Sequence, residues 1–189
     1  RGELGYQPES TIEIHLQDLV LDNHPLGGAD VYGAFQENQL VVAQGKWETN
    51  LAEATIKRGY FDPSTNSFEV ELELIDGKAS ELAAALGWEA REPIEGVLQG
   101  NVLLSGRLGD LQGEGAFDLA EGKLGAVAFS GKAQVTLRDR ELQISSLVLE
   151  HADGGVVTAA GTVSLANLHY PVLDLTGEVS EIVYSSGPF

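Results

Sequence analysis

The sequence predicts an all-β protein, a long antiparallel-rich sheet with one short helix at about residues 79–87, and three observations carry that reading. Apolar and polar residues alternate in stretch after stretch, which is the spacing of side chains on opposite faces of a strand. Glycine is abundant, 23 of 189 residues, and returns between those stretches. The joints are turn formers such as NHPLGG at 23–28 and DPSTNS at 62–67.

In chain order, residues 1–10 have no periodicity and read as an edge or connector. Between Thr11 and Asp22, Ile12, Ile14 and Leu16 alternate with Glu13, His15 and Gln17, and then the phase slips to Leu19 and Leu21. Such a slip predicts a bulge. The next strands are Val31 to Phe35 and Gln39 to Trp47, joined by a polar turn at Glu37 and Asn38. Thr55 to Phe61 follows, and then Phe68, Val70, Leu72 and Leu74 alternate with Glu69, Glu71 and Glu73. The three glutamates read as a solvated face, because they lack the converging oxygen ligands of a calcium site.

The helix is predicted from Ala79, Leu82, Ala83 and Leu86, which recur at helical spacing before Gly87 as a C-terminal cap, with Trp88 as a packing anchor. Beyond it lies the stretch that organises the chain, Gly96 to Leu137. Leu98, Gly100, Val102 and Leu104 face one way, against Gln99, Asn101 and Ser105. Val127, Phe129, Gly131, Ala133, Val135 and Leu137 oppose Ser130, Lys132, Gln134, Thr136 and Arg138 in the clearest strand of all. Leu142 to Leu149 alternates with a slip at Ser145 and Ser146, Val157 to Leu165 is another strand, and Leu173, Leu175 and Val179 mark the last.

Charge narrows the function. Against 11 basic residues stand 29 acidic ones, a formal net charge of −18, which repels phosphate backbones and anionic membrane surfaces and argues against nucleic-acid binding. No apolar run is long enough to span a bilayer. The absence of cysteine excludes disulfides and thiol chemistry. A chain that begins at Arg1 and has no methionine is expected to be a piece of a longer protein or a processed one.

Motifs of catalysis are missing, so an enzyme is not expected, nor a cofactor. His15, His24, His151 and His169 are scattered without metal-ligand spacing, and there is no GxSxG elbow and no phosphate-binding loop. Glu89, Glu92 and Glu95 form the best acidic cluster, but without a DxDxDG pattern they read as a solvated loop. An echo at an offset of one hundred residues, GKASEL at 77–82 against GEVSEI at 177–182, suggests a long repeated β unit.

The phrases in Gly96 to Gly125, Glu141 to Leu149, the pair Gly154 and Gly155, and Ala159 to Leu165 resemble the repeated units of the AsmA-like superfamily of bridge-like lipid transport proteins, and within it the TamB branch. That pattern is a GxLxGxxxLSGxLxxLxGxGxxxLxxGxLxG core, an xLxIxxLxL phrase, a glycine pair and AxGxVSL. The helix phrase SELAAALG, 80–87, also sits where such proteins place a short helix before a new unit. The resemblance is good over Leu74 to Ile182 and general over Ile12 to Phe61.

What the resemblance implies is a curved sheet folded into a U-shaped β-taco groove, apolar inside and polar outside. Domain organisation would then be an edge or connector at 1–10, a first groove unit at 11–95, a second, glycine-rich unit at 96–184 and an edge at 185–189. It also implies a periplasmic part of an inner-membrane-anchored envelope protein that shields phospholipid acyl chains between inner and outer membranes. An outer-membrane barrel partner would be met through other parts. The expected groove lining is Val102, Leu104, Phe117, Leu119, Val127, Phe129, Val135, Leu137, Val157, Val163, Leu165, Leu173 and Leu175. Unpaired strand edges at the ends of such a sheet would favour edge-to-edge self-association. Two other readings remain open: a scaffold or chaperone for outer-membrane protein assembly, binding β strands in place of lipid, and a closed β-sandwich binding module.

Overall fold

The computed structural model describes residues 10–21, 24–49, 52–81, 94–107, 110–166 and 172–180. They form eleven strands: β1 (Ser10–Leu21), β2 (His24–Gln36), β3 (Gln39–Glu48), β4 (Ala52–Asp62), β5 (Ser67–Lys78), β6 (Ile94–Arg107), β7 (Asp110–Leu124), β8 (Val127–Arg138), β9 (Glu141–His151), β10 (Val156–Ser164) and β11 (Val172–Ser180). All lie in one sheet in chain order, each antiparallel to the next, so the topology is a meander. The described strands therefore form one open sheet, not the two facing sheets of a sandwich.

Turn chemistry explains the local connections. Glu37 and Asn38 both adopt positive φ, 47° and 66°, between the paired residues Gln36 and Gln39. Asp139 and Arg140 do the same at 50° and 61° between β8 and β9. Two left-handed residues match the right-handed twist of the flanking strands, which is why such two-residue turns close hairpins. In the β4–β5 turn the Asp62 carboxylate accepts hydrogen bonds from the Ser64 hydroxyl at 2.6 Å and the Ser64 backbone N–H at 2.8 Å. Those bonds hold its pKa below the ordinary carboxylate value.

Both phase slips in the sequence are bulges. In β1 the ladder jumps between Leu16 and Leu19, with Asp18 at φ 53°. In β9, Gln134 faces Ser146 while Val135 faces Ile144, which leaves Ser145 as the extra residue. Its hydroxyl bonds the Gln134 carbonyl at 3.2 Å. The β9 bulge rotates the strand by one residue and so returns Leu142, Ile144, Leu147 and Leu149 to a single face.

The sequence reading needs correction at two places. NHPLGG is mostly strand: His24 pairs with Leu21, Pro25 with Val20 and Gly27 with Leu19, because Gly27 takes φ 76° and lets β2 start early. The echo at one hundred residues does not describe equivalent structure. After Gly77 the chain turns helical at residues 79–81, whereas after Gly177 it continues as strand to Ser180. The unit boundary expected between residues 95 and 96 falls inside β6, where the ladder to β7 shifts register between Glu95 and Val97 and Gly96 takes φ 134°. The remainder of the helix expected at 79–87, together with Trp88, Glu89 and Glu92, lies outside the described residues. So do residues 1–9 and 181–189.

Among the described residues each strand makes its substantial contacts only with its neighbours in the sheet, and no second layer of described strands covers either face. The accessible surface is 13,341 Å². A compact monomer of this mass would expose roughly 8,700 Å². Among the described residues the buried apolar set is small, Ala29, Ala52, Ala54, Ile56 and Val163.

Candidate apolar binding face

Residues directly opposite one another across adjacent strands share a face, so the pairing register shows what each face carries. One row crosses all eleven strands through Ile14, Val31, Gly45, Ile56, Leu72, Val102, Gly115, Val135, Ile144, Gly161 and Leu175. A second crosses through Leu16, Ala29, Trp47, Ala54, Leu74, Gly100, Phe117, Ala133, Leu147, Ala159 and Gly177. A third runs through Ile12, Gly33, Val42, Gly59, Val70, Leu104, Gly113, Leu137, Leu142, Val163 and Leu173. No polar residue interrupts any of the three.

Ten inter-strand steps of about 4.8 Å make these rows about 48 Å long, and rows two residues apart lie about 7 Å from one another. The apolar face is thus on the order of 1,000 Å², against the few hundred that a soluble monomer usually leaves exposed in one patch. Large and small residues take turns along it. In the second row Leu16, Trp47, Leu74, Phe117 and Leu147 are separated by Ala29, Ala54, Gly100 and Ala133. The glycines are roofed by neighbours: a Cβ on Gly115 would lie 2.8 Å from the Phe117 ring and 3.2 Å from Val135 Cγ2, and one on Gly131 2.6 Å from Leu149 Cδ2.

The structure brings the expected lining residues to this face. Val102, Val135 and Leu175 lie on the first row, Phe117 on the second, and Leu104, Leu137, Val163 and Leu173 on the third. Leu119 and Val157 belong to a shorter row with Leu98, Gly131, Leu149 and Val179. Val127 and Phe129 are in phase with Gly131 on β8, and Leu165 is in phase with Val163 just past β10. Sequence reasoning missed the contribution of the first half, Ile14, Ile56 and Leu72 above all, although the same alternation marks it. It also missed Leu142, Ile144, Leu147 and Leu149, which the Ser145 bulge brings into one phase.

The opposite face is polar and cross-strand paired. Lys57 meets Glu73 and Arg58 meets Glu71, at 2.6 Å in the second case, so two of the three β5 glutamates find cations on β4. Lys46 bridges Glu48 and Glu53, and these bonds raise its pKa. His15 sits between Asp30, 2.7 Å from Nδ1, and Glu13, 3.2 Å from Nε2. The hydrogen bond to Asp30 is the largest reason its pKa is raised. Tyr32 is raised by its bond to Glu13.

Two open clefts of about 770 and 460 Å³ also occur where bulges twist the ladder. The smaller, bordered by Arg58, Glu71, Asn101, Glu114, Gln134 and Ser145, opens on the polar face. Neither gathers buried ionisable groups: among the described residues no polar or charged side chain is buried. Nor do the described residues include a group of three or more His, Asp or Glu able to hold a metal ion, and Glu95 instead lies 3.7 Å from Lys123.

No protein-family model, curated protein or solved structure matches the chain. No helix among the described residues is long and apolar enough to cross a membrane.

Proposed function

We propose that the apolar face shields phospholipid acyl chains as they pass between two membranes, and that the sheet curls about this face as a U-shaped trough. The observation that carries the reading is the set of three uninterrupted apolar rows across eleven strands, with no other described strand layered over them. Acyl chains in water cost about 0.8 kcal/mol per methylene, or about 25 kcal/mol for a two-chain lipid. A continuous apolar surface some 48 Å long removes most of that barrier at every point along its length. Headgroups would stay at the open rim, where they need no dedicated pocket.

Curling is favoured by the residues themselves. Bulges and strand glycines are the devices that bend a sheet, and here they recur in β1, β4, β5, β7 and β9. Small residues between large ones let side chains converge on a concave side without collision. The setting that suits this activity is the space between inner and outer membranes, as the resemblance to the AsmA-like superfamily and its TamB branch implies.

Native mass spectrometry with lipid extraction tests the proposal on chain purified from a cell envelope without harsh detergent. Phospholipid is expected to co-purify, and Val135→Asp, on the central row, is expected to reduce it at least tenfold while far-UV circular dichroism keeps its strand signature. A lipid-free protein that also fails to bind a hydrophobic dye would sink the conduit.

A further inference from the structure

A glycine inside a strand leaves a hollow in its row unless a neighbouring side chain lies down into it. At Gly45, Gly113 and Gly131 of the apolar face the cover comes from the residue directly opposite. Ile56 Cδ1, Leu104 Cδ2 and Leu149 Cδ2 stand 3.0, 2.8 and 2.6 Å from where a Cβ would be. Gly115 is covered differently. It faces Val102 and Val135, yet the atoms nearest its Cβ position are Cε2 and Cζ of Phe117, at 2.8 and 3.0 Å, two residues along its own strand. Cδ1 of the same ring lies 2.8 Å from the Cβ position of Gly100, the cross-strand partner of Phe117. One ring thus covers two glycines, leaning along β7 from the second row across the gap that Gly115 leaves in the first.

We propose that Phe117, laid down over Gly100 and Gly115, sets the clearance over the central strands, so that the occupant of the face is a fluid hydrocarbon chain sliding over a levelled floor. The inference rests on the acyl-chain reading and adds to it the residue on which passage depends. Faces that pack against a second sheet keep their side chains standing, so that the two layers interdigitate across about 10 Å. Here the hollows that an opposing layer's side chains would enter are already filled from within the sheet. A hydrocarbon chain has no use for hollows. It needs apolar contact without steps, and a ring standing upright in the second row, between Gly100 and Ala133, would be a step in its path.

Gly115→Ala isolates the effect. Gly115 takes no positive φ, and the three atoms nearest its Cβ position all belong to side chains, the two of Phe117 and Val135 Cγ2 at 3.2 Å. An added methyl therefore lifts the ring and leaves the backbone in place. At Gly100 it would strike the Ala116 carbonyl instead, which makes that position unsuitable for the test.

Gly115→Ala is expected to melt within a few degrees of the unaltered chain and to change the NMR ring-current shift at the Gly100 Hα protons, a shift that Phe117→Leu removes. It is expected to slow protein-dependent transfer of fluorescent phosphatidylcholine between phosphatidylcholine vesicles at least fivefold. Adding Phe117→Leu to Gly115→Ala is expected to restore transfer to within twofold of the unaltered chain. Unchanged transfer in Gly115→Ala, an unmoved ring, a lost fold, or failure of Phe117→Leu to restore transfer each overturns the role of Phe117 and leaves the conduit standing. An unaltered chain that transfers no lipid brings down the conduit and this inference with it.

Discussion

Gly161 shows how narrowly a single backbone position can be set. It lies inside β10 at φ 153°, and a Cβ there would collide with the Asp174 carbonyl of β11. Gly154 also has positive φ, 97°, yet nothing lies within 4 Å of where its Cβ would be. Gly161→Ala therefore suffers both conformational strain and a clash, whereas Gly154→Ala suffers strain alone, of order 1–3 kcal/mol. Urea denaturation should find Gly161→Ala the less stable by at least about 1 kcal/mol, and equal losses would mean that β10 relaxes away from β11. At His15 the relevant scale is the proton. Its pKa is raised by the Asp30 hydrogen bond, so the charged pair contributes below the ordinary histidine value of about 6.5 and the contribution is lost as pH rises through the raised folded value. An NMR titration is expected to place His15 above that ordinary value, and Asp30→Asn should bring it back down; an unchanged midpoint in the variant would remove Asp30 as the cause.

At the scale of the element, the bulge in β9 separates what the sequence makes legible from what it hides. Leu142 and Ile144 occupy even positions and Leu147 and Leu149 odd ones, and only the extra residue Ser145 brings all four to one face. Deleting Ser145 leaves those four in strict alternation. The deletion is expected to cost no more than about 1 kcal/mol, because the phase survives and only a local twist is lost. Deleting Gln134 from the unbulged strand β8 is the contrasting case: Val135 and Leu137 swing to the polar face, and the protein should lose several kcal/mol or fail to fold. Thermal melts of the two variants decide between them, and equal damage would show that the sheet tolerates no change of length anywhere. The unbroken strands were legible from alternation alone, as β8 and the Phe68 to Leu74 part of β5 illustrate. The slips announced bulges but not which residue would be left out of the ladder. Turn composition misled at residues 24–28, because Pro25 and Gly27 suit a turn and an edge strand equally well, and only pairing with β1 decides. Alternation also identified the apolar residues without revealing that they align across all eleven strands, since register depends on turns and bulges acting together.

For the whole molecule, surface area is the quantity that separates a one-layer sheet from an ordinary domain. An unfolded chain of this mass exposes roughly 29,000 Å² and a compact fold roughly 8,700 Å². The accessible surface of 13,341 Å² means that folding removes only about three quarters of the area a compact fold would remove. The urea m-value scales with that difference, as does the heat-capacity change of unfolding with its apolar part. Both are expected near three quarters of the values typical for 189 residues, and both should rise when phospholipid or a mild detergent covers the apolar rows and leaves with unfolding. A lipid-free chain with the full m-value of a compact domain would mean that the apolar face is already covered in solution by protein, which would remove the ground for an acyl-chain conduit. A reduced m-value that lipid raises while Val135→Asp abolishes the rise would tie the missing area to the three rows themselves.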